Sequence, residues 1–224
     1  STWGDSTIVE INPTNSQVIA EYSLTLDGSA YTHSKGDMAV GTYTNAVSDE
    51  SLFLGEGTNL YIVNFAGSEA QLSAAPAQPA VAEPLGATTT TVNELYILTG
   101  ENLVTFDPGN GAQSSTVVTL PSHVTASQAD LGNDGRFYFT DSVSNELWAF
   151  DVPAGDSSLA ALRVGPLQTA DGAGINVHGA DMAFLRDGTL CLWSNWPLSS
   201  SSPRGLYMFD VPSTNDWPTN LTAK

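Results

Sequence analysis

The chain has 224 residues, 41% of them apolar, and 24 acids against 6 bases give a formal net charge of −18. That length and apolar content suit a single domain, 1–224, with a core of its own. The charge excludes nucleic acid, whose phosphates would be repelled, and no apolar run approaches the roughly 18 residues of a membrane helix.

Ser1 opens the chain without a basic, apolar leader, lysines are few, and Cys191 has no second cysteine to pair with. These features predict a mature chain, extracellular or on the cell surface, after removal of a signal segment. The acids are scattered and form no block, as on a surface that keeps an exposed protein soluble. They also offer oxygen ligands to cations.

Helical periodicity is absent. Short apolar or alternating runs, punctuated by Gly, Pro, Asn, Asp and Ser, predict an all-β chain. In chain order, an N-terminal hairpin (about 5–26) sets IVEINP (8–13) and VIAEYSLTL (18–26) around the turn NPTNSQ (12–17). His33 then precedes Asp37, which heads a strand pair with a long loop, GDMAVGTYTNAVSDESLFLGEG (36–57). LYIVNF (60–65) is the next strand. LSAAPAQPAVAEPLGA (72–87), with its prolines and a glutamate, reads as a Pro/Ala-rich loop or linker. TTTTVNELYILTG (88–100) is a less regular pair, followed by LVTFDP (103–108), the turn DPGNGAQ (107–113) and STVVTL (115–120). His123 precedes Asp130 in QADLGNDGRFYFTDS (128–142), a pair joined by an Asp-Gly step whose glycine supplies positive φ. LWAFDV (147–152) and LAALRV (159–164) flank the turn DVPAGDSS (151–158). His178 precedes Asp181 in a second Asp-Gly pair, ADMAFLRDGTLCLWSN (180–195), where Cys191 lies between leucines as a core residue. LYMFDV (206–211) and DWPTNLTA (216–223) complete the chain, the latter expected as the fourth strand of the last repeat.

One hexapeptide pattern recurs through these elements. Position one is Ile8, Leu60, Leu103, Leu147 or Leu206; position four is Ile11, Val63, Phe106, Phe150 or Phe209; position five is Asn12, Asn64, Asp107, Asp151 or Asp210. The fifth position predicts a strand that ends in an Asx turn, its side chain capping the bend. Spacings of roughly 43 to 59 residues suit one four-stranded unit per repeat.

INPTNSQVIAEYSL (11–24) and FDPGNGAQSSTVVTLP (106–121) resemble the hairpins of YVTN-type and quinoprotein-type β-propellers. LGNDGRFYFTDSVSNELWAFD (131–151) resembles blades of NHL-type and gluconolactonase-like propellers. The resemblance implies a small β-propeller of four to five blades built from four-stranded antiparallel sheets, one of them incomplete. It leaves activity open, since propellers host unrelated functions. The N-terminal hairpin has no first and second strands before it. Three explanations stand: a fragment of a larger propeller, a blade reduced to two strands, or a hairpin that adds to the edge of a neighbouring subunit.

The three histidines each precede an aspartate at a first strand. His33, Asp37, His123, Asp130, His178 and Asp181 could therefore converge near a propeller axis and hold a divalent metal, Ca or Zn. The same recurrence also suits a repeated structural contact. The likeness to gluconolactonase-like enzymes adds Glu56, Asp141, Asn195 and Asp181 as metal-holding groups. NDG (133–135) and RDG (186–188) lack an EF-type pattern and read as turns. No G-x-S-x-G, phosphate loop or Cys-His pairing stands out. Trp148 reads as packing, while Trp196 and Trp217 are candidates for stacking on sugars. Asn220-Leu-Thr matches the N-glycosylation pattern.

The sequence thus leans away from an enzyme. It favours a structural or binding module, without a cofactor, that self-assembles through its N-terminal hairpin or binds another extracellular protein or a glycan. A metal-dependent lactonase- or lyase-like enzyme and a carbohydrate-binding propeller are the alternatives.

Overall fold

A computed structural model of the chain describes residues 6–33, 37–41, 51–80, 85–87, 94–100, 102–152, 158–178, 180–194, 205–212 and 217–224. Among the described residues every regular element is a strand, and no helix is long and apolar enough to cross a membrane.

The first sheet begins with β1 (Thr7–Ile11), β2 (Val18–Leu26) and the short β3 (Ser29–Ala30). It continues with β4 (Asp37–Gly41), β5 (Ser51–Glu56), β6 (Asn59–Ala66) and β7 (Glu69–Ala74) in an antiparallel meander. The hairpin expected to stand unmatched is joined to this sheet: β2 pairs in parallel with β7, Leu24 opposite Ala70. The stretch 72–87, expected as a loop, supplies the end of β7 and the whole of β8 (Leu85–Ala87).

The second sheet adds β9 (Leu95–Thr99), β10 (Asn102–Phe106) and β11 (Gln113–Thr119) to β8. The third opens with β12 (Ala126–Leu131), β13 (Arg136–Asp141) and β14 (Glu146–Asp151). The expected strand 159–164 then splits in two. β15 (Leu159–Ala160) pairs in parallel with β11, and β16 (Leu162–Gln168) pairs antiparallel with β14. The fourth sheet holds β17 (Asp181–Phe184), β18 (Thr189–Ser194) and β19 (Gly205–Asp210). β20 (Leu221–Thr222), expected beside β19, instead pairs in parallel with β16. Its continuation still reaches the fourth sheet, because the Lys224 N–H donates to the Met208 carbonyl at 2.9 Å.

The hexapeptide explains why β6, β10 and β14 sit inside their sheets; β1 and β19 carry it too but are edge strands. Residues three apart on a strand face opposite sides, so positions one and four feed two cores. Leu60 packs with Phe53, Leu95, Ile97 and Phe106, while Val63 packs with Leu24, Leu54, Ala70 and Leu72 on the other face. Leu147 and Phe150 repeat this on β14: Leu147 joins the core of the third and fourth sheets, and Phe150 stacks on Phe139 at 5.1 Å.

The chain divides into two compact units, Ser1–Ile97 with Val104–Ser114 and Leu98–Leu103 with Ser115–Lys224. The first is cored by those two clusters. The second is cored by Tyr138, Leu147, Ala149, Met182, Leu190, Leu192, Phe209 and neighbours.

The turns follow the local sequence. The Asn12 and Asp107 side chains accept the Thr14 and Gly109 N–H groups at 2.9 and 2.7 Å, the Asx caps expected at position five. Elsewhere position five serves other ends. Asn64 donates to the Ser73 hydroxyl, and Asp151 and Asp210 form ion pairs with Arg136 and Lys224. Gly135 and Gly188 take φ of 81° and 86° in matched turns, each donating its N–H to the residue three back, Gly132 or Leu185, at 2.9 Å.

Candidate functional site

His33 and Asp37 are both buried in the first unit. Asp37 opens β4, and its Oδ1 accepts the Met38 N–H at 3.0 Å. The other four histidine and aspartate candidates lie in the second unit. His123 is exposed, with its ring edge-on to Trp148 at 6.2 Å. His178 is exposed as well, and its backbone N–H is held by Asn176 Oδ1 at 2.8 Å.

Asp130 and Asp181 stand at different levels of their hairpins. Asp130 is opposite Tyr138, next to the turn, whereas Asp181 is opposite Trp193 at the far end. Aligned on the Asp-Gly steps, the counterpart of Asp181 is Gln128. Both Asp130 oxygens accept backbone N–H groups, Oδ1 from Leu131 and Oδ2 from Phe184, each at 2.8 Å. Asp181 Oδ1 accepts from Met182 at 2.9 Å. Among the described residues no three His, Cys, Asp or Glu side chains form a group able to hold a metal ion.

The residue ending each second strand does a different job. Glu56 ends β5 and accepts the Tyr31 hydroxyl. Asp141 ends β13, is fully buried, and accepts the N–H groups of Thr125, Val143 and Ser144 at 2.8, 3.1 and 3.1 Å, together with the Ser144 hydroxyl. Ser194 ends β18 and donates to the Asn176 carbonyl at 2.7 Å. In all three cases the partner lies in, or includes, the segment leading into the strand that precedes and pairs with it, β4, β12 or β17, so these groups lock that entry. Burial and the bond to Glu56 push the Tyr31 phenol far above its ordinary range. Burial opposes the charge on Asp141, but the Ser144 hydroxyl and the three N–H groups outweigh it and hold its carboxyl below the ordinary value.

Asn195 and Trp196 lie outside the described residues. Trp217 is half-buried; its Nε1 donates to the Pro212 carbonyl at 3.1 Å, and the Arg136 guanidinium lies 5.4 Å from its ring centroid. Trp148 is buried as expected, and its Nε1–H has no hydrogen-bond partner among the described residues.

A cavity of about 480 Å³ opens where the two Asp-Gly turns meet the end of β19. Asn133, Asp134, Arg186, Asp187 and Asp210 supply its polar lining, and Tyr138, Phe184 and Val211 its apolar part. The two hairpins are clamped together at this place. The Asn133 amide donates to the Leu185 and Arg186 carbonyls at 3.1 and 2.7 Å, and Asp130 holds the Phe184 N–H. Tyr138 and Phe184 lie 4.9 Å apart, and the Tyr138 hydroxyl donates to Asp134 Oδ2 at 2.9 Å. Burial and Asp134 push that phenol well above its ordinary range, so it stays a proton donor. Asp134 and Asp187 also accept the N–H groups of Arg136 and Thr189 two residues on, at 3.2 and 2.9 Å. The sequence marked both turns; what it hid was that they face one another.

No family model and no curated protein matches the sequence. Among solved structures, the chain is similar to a Bacteroides caccae protein of unknown function at 12% identity and a TM-score of 0.42, over 100% of this chain and 92% of that one. It is similar to virginiamycin B lyase from Staphylococcus aureus at 13% identity and a TM-score of 0.40, over 96% of this chain and 66% of the lyase. It is also similar to AztD from Citrobacter koseri at 13% identity and a TM-score of 0.36, over 97% and 59% of the respective chains. The chain thus spans less than two thirds of the length of the last two.

Proposed function

We propose that the chain is a small β-propeller, with the four sheets as blades, that works without catalysis as a structural and binding module outside the cell or on its surface. The observation that carries this reading is how the carboxylates are used. Asp37, Asp130, Asp134, Asp141, Asp181 and Asp187 each accept at least one backbone N–H. These side chains fix the chain where it turns or enters a strand, and at Asp141 and Asp187 hydrogen bonding also holds the carboxyl below its ordinary value, which makes a weak base.

Self-assembly through the N-terminal hairpin is part of the proposal, and β1 is the strand that would carry it. Among the described residues no strand pairs on its outer side. Ser6 accepts the Leu24 N–H from directly opposite, so by antiparallel alternation Thr7 and Val9 turn their backbone groups to that open side. Val9 is 43% exposed, and TIVEI contains neither the lysine nor the proline that commonly blunts an edge. Val9→Pro removes an outward N–H without touching the pairing to β2. Light scattering should then show assemblies of the intact chain reduced to monomers; equal masses for the two would refute assembly at this edge. Stoichiometric metal in the purified protein, lost on Asp181→Ala, would instead favour the lactonase- or lyase-like alternative.

A further inference from the structure

The cavity at the Asp-Gly turns is close to electrically balanced. Its carboxylates are Asp134, Asp187 and Asp210. Arg136, ion-paired with Asp151 at 2.7 Å, also lies 3.6 Å from Asp134, Lys224 is ion-paired with Asp210, and Arg186 lines the cavity alongside Asp187. In a chain of net charge −18 such local compensation is uncommon. A cation gains little from carboxylates that already have counter-charges, and an anion meets their oxygens.

What remains is a lining suited to hydroxyl groups. Both Asn133 amide bonds go to the neighbouring turn, which leaves Oδ1 as an acceptor. Asp187 accepts from Thr189 through its backbone N–H and its hydroxyl, and a carboxylate with about four lone-pair sites still has room for further donors. Arg186 supplies donors. Phe184, Tyr138 and Val211 form an apolar side. The volume of about 480 Å³ falls within the range of small-molecule sites.

We propose that this cavity binds a neutral, hydroxyl-rich small molecule of the sugar class. Its hydroxyls donate to Asp187 and Asn133 and accept from Arg186, and its C–H face packs on Phe184. The inference rests on the reading of the chain as a binding module, and it uses neither Trp196 nor Trp217.

The test is NMR titration of the full chain with glucose, galactose, mannose, N-acetylglucosamine and maltose as probes. At least one should bind in the millimolar range and shift the Gly188 backbone and Asn133 side-chain amide signals. Asp187→Ala and Arg186→Ala, both at exposed turn positions, should weaken that binding about tenfold, the worth of one charge-assisted hydrogen bond. Asp187→Asn keeps an acceptor for Thr189 and serves as the folded control should the alanine variant unfold; it too should bind more weakly. The proposal is overturned if none of the five sugars binds. It is equally overturned if binding leaves Gly188 and Asn133 unmoved and survives these substitutions. Conversion of a bound sugar to product would leave the site standing and overturn the non-catalytic reading.

Discussion

The side-chain amide of Asn133 donates to the backbone carbonyl of Arg186 at 2.7 Å, although the two residues hold the same place in their respective hairpin turns. One turn grips the backbone of its sibling, and the same amide also reaches Leu185. Equivalence in the repeat is therefore broken at the contact between neighbours.

Asn133→Ala removes both bonds and exposes two carbonyls to water. Each bond is worth about 1 kcal/mol net, so the variant should lose about 1–2 kcal/mol of stability. Urea unfolding would show this as a lower midpoint at an unchanged slope. An unchanged midpoint would mean that the clamp adds nothing beyond the apolar contacts around Phe184.

Asp141 gives stability a defined pH dependence. Its folded carboxyl lies below its ordinary value of 3.8. The unfolded chain therefore takes up its proton first on acidification. The contribution is fully present above the ordinary value and is lost as pH falls through the lower folded value. Asp141→Asn should flatten the acid limb of stability below pH about 4. Thermal melts across that window check it, and an unaltered acid limb would contradict it.

Ser16 and Gly111 form a natural comparison. They occupy the same position of matched turns, with φ of 57° and 76°, and each donates its N–H to the residue four back, Asn12 or Asp107, at 2.8 and 2.9 Å. Serine pays a steric cost in this left-handed region and glycine does not. Ser16→Gly should raise stability by about 0.5–1 kcal/mol. Gly111→Ala should lower it by more, since its Cβ would also come within 3.3 Å of the Ala77 Cβ. Melting temperatures moving in the same direction for both variants would refute the argument.

The sequence showed the strands, the Asx caps and the Asp-Gly turns because these are local. The Asn12 cap spans two residues, and the short apolar run around Leu60 and Val63, bounded by turn residues, announces a strand buried on both faces. The candidate site was less legible. Counting residues between histidine and aspartate aligned Asp130 with Asp181, whereas strand register sets them at opposite ends of their hairpins. Counting back from the Asp-Gly steps would have set Asp181 against Gln128 instead, whereas the irregularity between Ala126 and Ala129 is a property of the pairing and leaves no mark in the sequence.

By itself the sequence determined an all-β chain of short antiparallel units, each turn written by the residues within it. Only the tertiary structure decided where the outer edges go: β2 to β7, β15 to β11 and β20 to β16, all in parallel. Backbone N–H and C=O groups are the same on every edge strand, so composition cannot choose among edges. The choice falls to side chains such as Leu24 and Leu221, which find a core only once distant segments are brought together.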